Sequence, residues 1–153
     1  MQVPDNPSDG RDIFINGGIF GEYPRLLRWD FRELLRHRKE GITTFTGFMS
    51  DQKPSHNDPG YITMLLNHPT AMITGTATVA QKLGAAVVYF DMTKLHRGRY
   101  HVRIVPIADD ASAMAPDEIK ERYTRLLESN ICRQPSIWLW THKRWKHRVE
   151  LGK

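Results

Sequence analysis

Two stretches of the chain hold residues whose types and spacing could do chemistry. The first is Ser50-Asp51-Gln52-Lys53-Pro54-Ser55-His56-Asn57-Asp58-Pro59-Gly60, where an acid, an amide, a base and a histidine crowd together. An aspartate in such a run can orient a hydroxyl or a histidine, and Lys53 can hold a phosphate as a point charge. The same composition also suits a plain hydrophilic turn around Pro54 and Pro59-Gly60. His56 and Asp58 supply two metal ligands with no third at helical or turn spacing, so no metal is expected. The second stretch, Pro135 to Arg148, mixes Trp138, Trp140 and Trp145 with Lys143, Arg144, Lys146 and Arg148. Amphipathic rings beside cations suit the headgroup layer of an anionic membrane. They also suit stacked bases on a nucleic-acid backbone, or a tryptophan-rich segment packed on the fold with its charges solvated.

These stretches need elements to hold them. Pro24 to Glu40 reads as a helix, with Leu27, Phe31, Leu34 and Leu35 on one stripe, Arg28, Arg32, Arg36 and Lys39 on the other, and Gly41 as a stop. Ile42 to Met49 is β-branched and aromatic, a strand that delivers the Asp51 run at its carboxyl end. Tyr61 to Asn67 reads as extended or irregular. Thr74 to Leu83 reads as a helix stopped by Gly84, and Ala85 to Phe90 as a strand of the buried type. Tyr100 to Val105 is a further strand, joined to its predecessor by the turn from Lys94 to Arg99. Pro116 to Asn130 is the clearest helix, opened by Pro116 with Asp117 and Glu118 in its first turn, and Ile119, Tyr123, Leu126, Leu127 and Ile131 form its buried stripe. Strand, helix, strand in succession predicts a parallel crossover. The expected class is α/β, a mixed, mostly parallel sheet flanked by helices, with functional loops beyond the carboxyl ends of the strands.

Length and composition narrow the field. At 153 residues, 40% hydrophobic and 25% charged, the chain fits one globular domain. Residues 1–12 read as a loose leader, with Ile13 to Phe20 as a short strand opening the part that runs to residue 153. Cys132 is the sole cysteine, which excludes an internal disulfide. The apolar stretches fall far short of the roughly 20 residues that span a bilayer. The net charge of +5 belongs to the tail: residues 133–153 hold six Lys/Arg and one Glu, leaving sixteen of each sign before them. No Gly-x-Ser-x-Gly or phosphate-loop pattern occurs, and Gly17-Gly18 is only a flexible turn.

Taken together, several motifs resemble the bacterial lipid A biosynthesis (lauroyl/myristoyl) acyltransferases of the lysophospholipid acyltransferase superfamily. They are Phe48-Met49-Ser50-Asp51-Gln52-Lys53-Pro54, Thr74-Gly75-Thr76-Ala77, Lys82 to Val88, Arg97-Gly98-Arg99-Tyr100, and the run from Leu127-Glu128 to the Pro-x-x-Trp-x-Trp-x-His-x-Arg-Trp-Lys ending at Lys146. The resemblance implies transfer of a fatty acyl chain from a thioester, carried by acyl carrier protein, to a hydroxyl of a membrane glycolipid such as a lipid A precursor. It implies no further cofactor, an anionic membrane surface as partner, and the cytoplasmic face of the inner membrane as location. It places Asp51 by the reacting hydroxyl as a supporting group, Gln52, Lys53 and Arg28 toward substrate, and Trp138, Trp140, Lys143, Arg144, Trp145, Lys146 and Arg148 toward the membrane. In that family a His-x-x-x-x-Asp/Glu motif supplies the general base and its orienting carboxylate. Here the residues five beyond the histidines are Ile42, Tyr61, Ile73, His101, Pro106, His147 and Gly152, none acidic. The chain therefore reads as the C-terminal part of such an enzyme, inactive alone and peripheral to the membrane. Tyr89-Phe90 departs from a proline many members carry after that strand. The rival expectations are a non-enzymatic membrane-lipid-binding module and a small basic nucleic-acid binder; with the resemblance, no nucleic acid is expected.

Overall fold

A computed structural model describes residues 26–55, 58 and 60–145, with side chains from residue 31 onward. The expected leader, the strand at 13–20, the Arg28 side chain, His56, Lys146 and Arg148 lie outside the described residues. The chain divides into two compact units, Met1–Phe48 and Met49–Lys153.

The first unit contains helix α1, Leu26–Lys39. Arg36, His37, Arg38 and Lys39 occupy its last turn, where cations favour the negative end of the helix dipole. Arg36 pairs along the solvent face with Glu33 and with Glu40, the latter at 3.1 Å. The stretch expected as a strand at 42–49 carries a single bridge residue, Phe45, and is otherwise irregular. Its β-branched residues set a propensity, but among the described residues no ladder forms across them to realise it.

The second unit is built from two hairpins and two helices. Strands β1 (Tyr61–Leu65) and β2 (His68–Met72) pair antiparallel through Leu66-Asn67. Both turn residues have positive φ, 52° and 60°, the backbone that matches a two-residue loop to strand twist. Helix α2 (Gly75–Leu83) follows and stops at Gly84, whose left-handed conformation lets its N–H and that of Ala85 cap the Gln81 and Ala80 carbonyls. Strands β3 (Val87–His96) and β4 (Arg99–Ala108) form the second antiparallel pair, turning at Arg97-Gly98. Helix α3 (Pro116–Arg133) closes the unit, with Pro116 in its first turn and Asp117 and Glu118 at the positive end of its dipole.

The fold is thus a mixture of helices and strands, but the mostly parallel sheet is not present. Among the described residues the sheets are two separate antiparallel pairs. Tight turns at 66–67 and 97–98 join strands adjacent in sequence, and β2 and β3, which flank α2, belong to different sheets. The parallel crossover and the site beyond parallel strand ends are corrected accordingly.

Helix α3 organises the interior. Leu127 and Ile131 pack with Leu65 and Met72, and Tyr61, Leu66, Tyr123, Trp138 and Trp145 surround them. Two turns earlier, Ile119 packs with Ala77, Ile107 and Ala111, bordered by Tyr89, Tyr123 and Leu126. Tyr123 joins both clusters. Polar bonds fix the register: Thr63 Oγ1 donates to Glu121 Oε2 at 2.7 Å, and Leu66 N donates to Glu128 Oε1 at 2.7 Å. The second hairpin is held through Asp91, a buried carboxylate accepting from Arg103 at 2.7 Å, from Arg133 and from Asn130. The opposite face of that hairpin leaves Val88, Phe90, Met92 and Ile104 exposed, so the strand expected to be buried on both faces is covered on one.

Candidate functional site

The Asp51 run begins at a buried anchor. Ser50 is buried, and its hydroxyl lies 2.8 Å from that of Thr76 in the first turn of α2. That contact ties the loop to a helix instead of to the end of a strand. Asp58 forms the second tie: its carboxylate accepts from Gly60 N at 2.9 Å, from Thr74 N at 3.0 Å and from Thr74 Oγ1 at 2.7 Å. Burial pushes the Asp58 carboxyl up, but the Thr74 and Gly60 hydrogen bonds and the nearby Lys120 charge outweigh it and hold it below the usual value. Asp58 is therefore a clasp for the loop. A Cβ at Gly60 would come within 3.0 Å of the Ala71 Cβ, so only glycine lets the loop approach β2 so closely.

Between these ties Asp51 and Gln52 are half-buried and Lys53 is exposed. Three groups feel the Asp51 charge. Tyr123 is pushed well above its ordinary value, first by burial and then by Asp51 and Tyr89. Tyr89, whose ring meets that of Tyr123 edge-on at 5.7 Å, is pushed up to about 12 by burial, Asp91 and Asp51. Both phenols keep their protons at neutral pH. The third group is Arg144, where burial depresses the guanidinium and Asp51 and Tyr123 act in the opposite sense.

Arg144 reaches this position because the tail folds back on the first hairpin. Short helical turns at Pro135–Ile137 and Trp140–His142 lead into Lys143, which is left-handed at φ 47° and ψ 50°. The next residue then points inward. Arg144 is 8% exposed, and its Nη2 donates at 2.8 Å to the Ala71 carbonyl oxygen and lies 2.8 Å from Met72 Sδ. Its Nε and Nη1 are covered and have no hydrogen-bond partner. Trp145 follows it inward, donating from Nε1 to Thr70 Oγ1 at 2.8 Å with His68 against its ring at 5.3 Å. Trp138 meets Trp140 edge-on at 4.8 Å and Trp145 at 5.9 Å. Trp138, Leu139, Trp140, Lys143, Arg144 and Trp145 line a cavity of about 310 Å3. Leu139 and Trp140 remain 56% and 52% exposed, and Lys143 is exposed.

The sequence-predicted residues therefore divide. Asp51 and Arg144 are distant in sequence and expected to serve different purposes, yet the Asp51 charge reaches the Arg144 guanidinium. Of the predicted membrane set, Trp140 and Lys143 face solvent, whereas Arg144 is buried and Trp138 and Trp145 are built into the packing. Tyr89 and Tyr123 escaped notice as site residues, since a tyrosine on an apolar stripe reads as core.

The motifs that converge here lie within one family match: a model of the bacterial lipid A biosynthesis acyltransferases matches residues 24–147. The chain belongs to the bacterial lipid A biosynthesis acyltransferase family. No curated protein and no solved structure matched it. For a member of this acyltransferase family, the relevant chemistry is acyl transfer, and the matched span takes in α1, both hairpins, α3 and the tail to the residue before Arg148. Among the described residues, no helix of this lipid A acyltransferase family member is long and apolar enough to cross a membrane.

Proposed function

We propose that the chain forms the acceptor side of an acyltransferase site. The enzyme moves a fatty acyl group from an acyl carrier protein thioester to a hydroxyl of a lipid A precursor, at the cytoplasmic face of the bacterial inner membrane. The observation carrying this reading is the family match across residues 24–147, a span that holds both the Asp51 loop and the Arg144 whose guanidinium feels the Asp51 charge. In this reading Asp51 supports the histidine base electrostatically, and Gln52 and Lys53 face the acceptor beside it. No histidine in the sequence has an acidic residue five positions on, so the general base comes from polypeptide beyond this sequence. No cofactor other than the acyl thioester takes part. Leu139, Trp140 and Lys143, with the charges of Lys146 and Arg148, give the tail its affinity for an anionic surface.

The test is acyl transfer from acyl carrier protein thioester to a lipid A precursor. The chain alone should give no transfer above background. The same chain joined to a family segment bearing His-x-x-x-x-Asp/Glu should give transfer that tracks with the protein peak. Turnover by the chain alone, surviving repurification, would contradict the reading.

A further inference from the structure

The cavity in the tail combines aromatic walls with cationic charge. At about 310 Å3 it lies at the lower end of the roughly 300–1,000 Å3 that small-molecule sites occupy. Its walls are three indoles and Leu139, and its charged residues are Lys143 and Arg144. Two details argue against a flat membrane contact. Trp138 and Trp145 are half-buried and locked edge-to-face, so they form walls instead of presenting rings outward. Lys143 adopts a left-handed backbone that a non-glycine residue occupies at a cost of about 1 kcal/mol. That conformation sets the exposed lysine and the inward arginine side by side.

Arg144 gives the cavity its preference. Its side chain is more than nine-tenths buried, yet Nε and Nη1 lack any partner. An unpaired charged donor in the interior is expensive and calls for an acceptor. Asp51 attracts the guanidinium without hydrogen-bonding to those atoms. Lys143 adds a second positive charge at the rim. Nε and Nη1 are covered, so a ligand answers the charge of Arg144 across its surface, and one that answered both cations would carry negative oxygens next to an apolar body.

We propose that this cavity is a discrete site for a single amphiphile with an anionic head, its alkyl chain against Trp138, Leu139 and Trp140 and its head between Lys143 and Arg144. The proposal deepens the acyltransferase reading, on which it rests for the lipid class, because it turns a membrane-facing tail into a site that selects one molecule.

The full chain is titrated with dodecyl phosphate below its micelle concentration, following tryptophan fluorescence and heat. Binding should saturate at one ligand per chain. Uncharged dodecyl maltoside and inorganic phosphate should each bind at least about tenfold more weakly, the loss expected when a charge-assisted contact or the apolar body is missing. Lys143→Gln and Leu139→Ser change exposed side chains, so each should weaken binding about five- to tenfold with the melting temperature unchanged. Dodecanoate at similar strength assigns the site to a carboxylate head as readily as to a phosphate, and clearly weaker binding assigns it to phosphate. Equal affinity for the uncharged amphiphile, failure to saturate, or wild-type affinity in both variants would overturn the proposal. None of these readouts depends on turnover, so a failed acyl transfer assay would leave them standing.

Discussion

Asp91 and Arg144 are both buried charges of the second unit, and they are treated in opposite ways. Asp91 receives Arg103, Arg133 and Asn130, a set of donors that answers its carboxylate in full. Arg144 receives one carbonyl and one thioether sulfur, with two of its nitrogens bare. A buried charge with all its partners ties elements together; one left short stores an unmet demand that a ligand or reacting group can meet. The comparison assigns Asp91 to structure, while the function proposed above places Arg144, with the Asp51 charge acting on it, at the site.

Removing the well-paired charge should do the greatest damage to stability. Asp91→Ala leaves Asn130 only its bond to the Met92 carbonyl and two arginines without their shared acceptor. Both arginines reach solvent, so the loss should be about 2 kcal/mol, below the 3–5 of a fully enclosed pair. Chemical denaturation measures it. Arg144→Met removes the under-paired charge and should change stability by less than about 1 kcal/mol in either direction, since an apolar side chain of similar length fits a buried site that never satisfied the cation. A loss as large as that of Asp91→Ala would erase the distinction between the two.

Acidification sharpens the same contrast. Asp58 and Asp91 are held below the ordinary aspartate value of 3.8 by their donors in the folded chain. Their contribution is therefore present above that value and lost as pH falls through the folded values. Stability should stay level at mildly acidic pH and fall below about 4, and the fall should shrink in Asp58→Asn and Asp91→Asn. The smallest effect belongs to Leu139→Ser with Lys143→Gln, which should alter stability by under about 0.5 kcal/mol, as for other exposed positions. The same double variant should lose salt-sensitive binding to anionic vesicles. Retention of vesicle binding would leave the tail a packing element alone.

Part of this architecture was legible in the residues. Pro116, Asp117 and Glu118 marked the start of α3, Gly84 marked the end of α2, and Ile119, Leu127 and Ile131 announced the buried stripe, because local capping and period depend on neighbours a few positions away. The sheet was misread where pairing partners decide. Ile42 to Met49 has strand chemistry but, among the described residues, no ladder, and Leu66-Asn67 makes a hairpin that Tyr61 to Asn67 by itself did not reveal. The Asp51 loop was singled out from its polar density and from the family resemblance. That Asp51 acts on Arg144 was not readable, since no periodicity connects residues so far apart, and a tail arginine among tryptophans and lysines looks like a solvent-facing charge.

The central claim is that Asp51 serves the reaction and does not merely balance Arg144. The most direct measurement is acyl transfer by the histidine-bearing full enzyme as a double-mutant cycle of Asp51→Asn and Arg144→Met, with a melting curve for each variant. If Asp51 supports the base, turnover falls on the order of a hundredfold in Asp51→Asn and stays low in the double variant, even where Arg144→Met restores the melting temperature. Recovery of turnover in step with stability in the double variant would contradict the account and leave Asp51 as the counter-charge of a buried arginine.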